Sequence, residues 1–80
     1  MNKDEIRTKV FKVVADVMEV PLSEINDHSS SETIETWDSM TQMALTLALQ
    51  EEFKVKLPSA QASKLSKVNL IVSALEDVLK

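Results

Sequence analysis

The residues of this chain that could take part in chemistry gather at one junction, Thr36-Trp37-Asp38-Ser39-Met40, where a long polar stretch meets the most apolar segment. Elsewhere the inventory is poor. His28 is the sole imidazole, set in Asn26-Asp27-His28-Ser29-Ser30, and neither a Cys nor a second His is present to complete a metal site or a nucleophile–base pair. It reads as a solvated loop residue. Glu51 and Glu52 are adjacent in sequence. On a helix they diverge by about 100 degrees, so they do not aim two carboxylates at one substrate. At the junction, Asp38 and Ser39 supply side-chain oxygens that can cap a helix start, and Trp37 is an apolar anchor beside them. The same position gives Ser39 a second role. A hydroxyl at a helix N-terminus, beyond a long loop, is open to a modifying enzyme, and the helix dipole with its free N–H groups favours an anionic phosphate there. A hydrolase built on Ser39 lacks any base or oxyanion donors that the sequence identifies.

Positioning that hydroxyl falls to helices. Ile6, Val10, Val13, Val14 and Val17 recur at helical spacing, with Arg7, Lys9, Lys12 and Asp16 opposite, which predicts a helix over about 4 to 18. Its many valines lower intrinsic propensity, so packing must hold it. Val20-Pro21 is the expected stop, because proline disfavours the α conformation of its predecessor. Residues 19–37 form a long first loop with Pro21, Leu22, Ile25 and Ile34 as apolar anchors and one turn near Ser23-Glu24-Ile25-Asn26. So long a connection in a compact domain is functional or packed down.

The second helix runs from about 39 to 53. In Met43-Ala44-Leu45-Thr46-Leu47-Ala48-Leu49 only Thr46 is polar, which is too apolar for a helix with one wet face. This helix is either the centre of the bundle or the border of a partner surface. Met18 reads as core filler, while Met40 and Met43 are open between core and a pliable contact surface. Lys54-Val55-Lys56-Leu57-Pro58 breaks the helix, and Ser59 can cap a short third segment through Ala60, Ala62 and Leu65. Val68, Ile71, Val72, Leu75, Val78 and Leu79 give the last stripe, starting at Ser66 or Lys67. The reading is all-α: a four-helix bundle with three main helices, one short helix, a long first loop, no strand and no repeat.

The 80 residues are 44% hydrophobic and 28% charged, enough for one core and therefore a single domain over 1–80. The absence of Gly excludes a Rossmann fingerprint, a Walker phosphate loop and an EF-hand turn, each of which needs its backbone freedom. No stretch approaches the ~18 apolar residues that span a bilayer, and the start Met1-Asn2-Lys3-Asp4-Glu5 has no apolar leader, so a cytoplasmic protein without membrane contact is expected. The net charge of −4 is uneven. Between Lys12 and Lys54 there is no Lys or Arg, but there are Asp16, Glu19, Glu24, Asp27, Glu32, Glu35, Asp38, Glu51 and Glu52. That block would repel phosphates, so nucleic acid is excluded as a partner. A basic protein surface and a plain solvating face both fit it.

At these residues the chain resembles the acyl carrier protein family, with its peptidyl and aminoacyl relatives, over nearly its whole length. Asp38-Ser39-Met40 stands at the family's Asp-Ser-Leu motif opening the second helix. Leu45, Leu47 and Leu49 follow at alternate positions, and Glu51-Glu52-Phe53 matches a Glu-Glu-Phe-like end. Val20-Pro21-Leu22-Ser23-Glu24-Ile25 and the serines before Trp37 are similar to small standalone carriers. The resemblance implies that Ser39 receives 4′-phosphopantetheine from coenzyme A, with Asp38 helping a phosphopantetheinyl transferase and its Mg²⁺ engage the site. Cargo would ride as a thioester on the arm's thiol, which a chain without Cys cannot supply itself. The implied protein is a monomeric carrier and no enzyme, holds no metal of its own, and serves acyl-loading and acyl-processing enzymes.

This chain departs from the family where acids often follow the serine: Thr41, Gln42, Ala44 and Gln50 stand there instead. Docking is therefore expected to be apolar, through Met40, Met43 and Ala44, with Trp37 and Glu35 at the loop end and Glu35 adding steering. An acyl cargo in a specialised lipid or secondary-metabolite pathway is the main reading. The alternatives are an aminoacyl or peptidyl cargo, and an unmodified helical interaction module in which Ser39 is only a cap. Leu45, Leu49 and Ile71 could line a cavity for cargo or fill a solid core, and solid packing is the default.

Overall fold

The computed structural model describes residues 2–79, the side chain of Ser59 excepted. Four helices follow one another: α1 Lys3–Met18, α2 Ser39–Phe53, the short α3 Ser59–Ala62 and α4 Val68–Val78, with a 3-10 turn Leu22–Glu24 inside the first loop. The chain is all-α, and no strand occurs among the described residues. The start of α2 is where the capping pattern put it. Met1 and the cap expected of Ser59 lie outside the described residues and side chains.

The α1 helix opens on Asn2, whose side-chain oxygen accepts the Glu5 N–H at 2.9 Å. Asp4 and Glu5 in its first turn face the positive end of the dipole. Its end falls where the apolar spacing put it, ahead of Pro21. It stops at Met18 because Glu19 turns left-handed at φ 57°, and the Val20 N–H reaches back to the Ala15 carbonyl at 3.1 Å. The α2 helix ends the same way: Lys54 sits at φ 55° and the Val55 N–H reaches Gln50 O at 3.1 Å. Glycine is the usual occupant of this closing position, and the chain has none.

The core joins Ile6, Val10, Val14 and Met18 of α1 to Leu45, Leu49 and Phe53 of α2 and to Val68, Ile71, Val72 and Leu75 of α4. Leu45, Leu49 and Ile71 are fully buried members of it, as is Met18. The long loop is packed down. Ile25, Ile34 and Trp37 insert into the core, and the Thr36 hydroxyl donates to the Met18 carbonyl at 2.7 Å. Arg7 of α1 grips both carboxylate oxygens of Asp27 at 2.9 and 3.0 Å.

The α4 helix begins at Val68 with Lys67 as its N-cap, one of the two starts the sequence offered, and no side chain caps it. The loop backbone does so instead: the N–H groups of Val68 and Asn69 donate to the carbonyls of Ser29 and Asp27 at 2.9 and 3.2 Å. Orphan donors of the helix start are thereby satisfied from a distant segment. Every buried side-chain nitrogen and oxygen among the described residues has a partner.

Candidate functional site

The capped end of α2 builds the site. Asp38 is the N-cap, with extended backbone, and its Oδ1 accepts the N–H groups of Met40 and Thr41 at 3.0 Å each. Thr41 reciprocates. Its hydroxyl oxygen accepts the Asp38 N–H at 2.8 Å, and its proton reaches the Thr36 carbonyl at 2.7 Å. This closed capping box fixes the chain direction on both sides of Ser39. The Thr41 N–H holds the Asp38 carboxyl below the usual aspartate range, aided by the Met40 N–H and opposed by some desolvation. Oδ2 stays outside the capping bonds.

Ser39 itself is the first residue of α2 and is exposed, so its hydroxyl is within reach of another protein. The expectation of free first-turn N–H groups needs correcting. Those of Met40 and Thr41 are taken by Asp38, and that of Gln42 bonds the Asp38 carbonyl at 2.8 Å. A phosphate on Ser39 would therefore sit beside a carboxylate cap rather than in an open crown of donors.

Trp37 is the apolar anchor expected of it but not the partner contact also expected of it. It is only 3% exposed, so its ring supports the site from below and offers no surface to a partner. Burying so large an apolar body next to the helix start outweighs leaving it wet, provided the indole N–H finds an acceptor. That acceptor is the side-chain oxygen of Gln42. The Gln42 amide nitrogen in turn donates to the carbonyls of Ala62 at 3.2 Å and Leu65 at 2.9 Å.

The remaining named residues lie outside. Glu35 and Ala44 are exposed, Met40 is 80% exposed and Met43 69%. Leu47 joins them at 59%, although its alternation with Leu45 and Leu49 in sequence made it look no different from those buried neighbours. Its distance of four from Met43 and seven from Met40 was the available signal, since such positions share a helix face. α2 thus buries one side and borders open solvent with an uncharged, largely apolar stripe.

Two grooves flank Ser39. One, about 270 Å³, is lined by Ser39, Gln42, Met43, Thr46, Leu47, Leu57, Ala62 and Ser63, with no charged side chain. The other, about 230 Å³, is more polar and is lined by Ser31, Trp37, Asp38, Ser39, Gln42, Ser63 and Ser66. A larger cleft of about 500 Å³ at the α1–α4 side contains Lys3, Arg7, Asp27, His28 and Glu76 and shares no residue with the junction. His28 is exposed there and meets neither Ser39 nor Asp38. Among the described residues no helix is long and apolar enough to cross a membrane.

A helical bundle presenting an exposed, rigidly framed serine ahead of an uncharged helix face is the form of a carrier domain. A family model described as the phosphopantetheine attachment site matches residues 8–75. The chain is also similar to an acyl carrier protein of Thermosynechococcus vestitus, 35% identical over 78 residues, which cover 96% of this chain and 95% of that relative. The chain belongs to the acyl carrier protein family, and it is a carrier protein.

Proposed function

We propose that Ser39 carries the 4′-phosphopantetheine arm and that the chain, a single carrier domain over 1–80, holds acyl intermediates as thioesters for partner enzymes. The observation that carries this reading is the exposed Ser39 hydroxyl at the first position of α2, inside the stretch that matches the attachment-site family. In the loading step Ser39 Oγ loses its proton and forms a bond to the pantetheine-side phosphorus of coenzyme A, while the adenosine bisphosphate half leaves. Once attached, the arm supplies the thiol that this Cys-free chain lacks.

The chain's own residues frame that step. Asp38 and Thr41 keep the Ser39 backbone in one place. Oδ2 of Asp38, outside the cap, is the oxygen that can face the transferase and its Mg²⁺. Met40, Met43 and Ala44 form the docking stripe, continued by Leu47, and Glu35 steers from the loop end. The uncharged α2 face supports acyl-processing partners of a specialised lipid or secondary-metabolite pathway, with the carrier acting as a monomer in the cytoplasm.

Intact-protein mass spectrometry after co-expression with a promiscuous phosphopantetheinyl transferase tests the assignment. The wild-type chain is expected to gain one phosphopantetheinyl group and Ser39→Ala to gain none. An unmodified wild-type chain would point instead to a helical interaction module in which Ser39 only starts a helix.

A further inference from the structure

The exposed face of α2 carries two sulfurs. Met40 is 80% exposed and Met43 69%, three residues apart on the stripe that Leu47 continues, whereas Met18 is 0% exposed in the core. A thioether is apolar and pliable, and one added oxygen makes it polar. The chain has no Cys, so among the described residues these two sulfurs are the ones an oxidant meets.

The surface around them has little to offer a new hydrogen-bond acceptor. No ionisable residue stands between Asp38 and Glu51. In the groove beside Met43 the side-chain donors are already committed to backbone carbonyls. The Gln42 amide nitrogen donates to Ala62 and Leu65, the Thr46 hydroxyl to Gln42 at 3.0 Å and the Ser63 hydroxyl to Ala60 at 3.1 Å. The other hydroxyl lining that groove is Ser39, the group that has to react. A sulfoxide oxygen on this stripe therefore stays bonded to water. A partner that covers it strips that water and returns no hydrogen bond.

On the reading that Ser39 bears the arm and that α2 docks by apolar contact, we propose that Met40 and Met43 are paired oxidation sites through which peroxide shuts down docking and with it the loading of Ser39. The step is balanced by hydrogen peroxide alone. A sulfur lone pair attacks one peroxide oxygen, the S–O bond forms as the O–O bond breaks, sulfur loses two electrons, and the second oxygen leaves as water. The fold is spared, because neither side chain belongs to the buried core or makes a bond of the capping box.

The test treats the unloaded full-length chain with hydrogen peroxide at neutral pH and locates each added oxygen by intact mass and peptide mapping. After the peroxide is removed, loading from coenzyme A by a promiscuous transferase is timed. Met40 and Met43 should take up oxygen at least roughly tenfold faster than Met18, which an oxidant reaches only when the fold opens. The oxidised chain should load with kcat/KM lowered by roughly tenfold, the scale of a polar group buried at an interface without a partner, and its far-UV circular dichroism should match the untreated chain. Methionine sulfoxide reductases A and B should restore mass and loading rate together. The double variant Met40→Leu, Met43→Leu keeps Met1 and Met18. Compared with its own untreated form, it should load at the same rate before and after peroxide.

Unchanged loading of the oxidised wild type overturns the proposal and leaves Ser39 as the carrier residue. So does an equal fall in the double variant, oxidation of Met18 at the rate of the other two, a loss of helix, or slow loading that survives removal of both sulfoxides. Absence of any mass gain on untreated wild type overturns the Ser39 reading as well.

Discussion

Asp38 sets the most sensitive residue-scale term at the site. Its carboxylate is hydrogen-bonded by helix N–H groups in the folded chain, so its folded pKa lies below the unfolded value. The sign follows from linkage. The stabilisation is fully present above the unfolded aspartate pKa of about 3.9 and is lost as pH falls through the lower folded value. Thermal melts of wild type and Asp38→Ala should therefore differ by a constant gap near neutral pH, and the gap should narrow below about pH 4. A gap independent of pH across that range would show that the capping charge contributes nothing. The Asp38-Ser39 pair was legible in sequence because a cap acts on its immediate neighbours. Trp37 was legible as a buried anchor, but the Gln42 bridge was not, since its carbonyl partners are 20 and 23 residues away.

At the scale of elements, the extent of α2 and the stripe of α4 followed from apolar spacing and capping. So did the end of α1 at Met18; only the way it ends was hidden, because a left-handed stop at a charged residue leaves no signal when Gly is absent. Glu19 at φ 57° and Lys54 at φ 55° each hold a backbone conformation that costs a non-glycine residue roughly 1 kcal/mol. Glu19→Gly and Lys54→Gly should each relieve that strain and raise the melting temperature by about 4–8 °C per kcal/mol recovered. Differential scanning calorimetry checks this. Unchanged or lower melting temperatures would mean that the flexibility glycine adds to the unfolded chain cancels the gain. The start of α4 at Lys67 was legible as well, but its bonding partners were not, since they are loop carbonyls that any residue type could supply.

Over the whole molecule, charge and apolar surface are segregated. Between Asp38 and Glu51 the α2 sequence has no ionisable residue, while Glu35 stands on the loop beside its start. Apolar docking there should make loading of Ser39 depend weakly on salt, because only rim charges are screened. Met43→Ala should lower kcat/KM for the transferase by roughly fivefold, as truncating an interface anchor does. Charge reversal at Glu51 or Glu52 should change it less. Steady-state loading assays at low and high salt decide the matter: a steep salt dependence, with Glu51 or Glu52 outweighing Met43, would overturn the apolar mode. Composition already excluded phosphate-cradling loops. It could not say whether the greasy helix faced inward or outward, because that depends on how many of its sides the other helices cover.

The carbonyls of Asp27 and Ser29 that begin α4 have a mechanical consequence. They tie the opening turn of the C-terminal coil to the connecting strap, so two orphan donors of that coil are satisfied only with the strap in place. A protease nick in that strap would release those two donors and loosen the opening turn of the far coil.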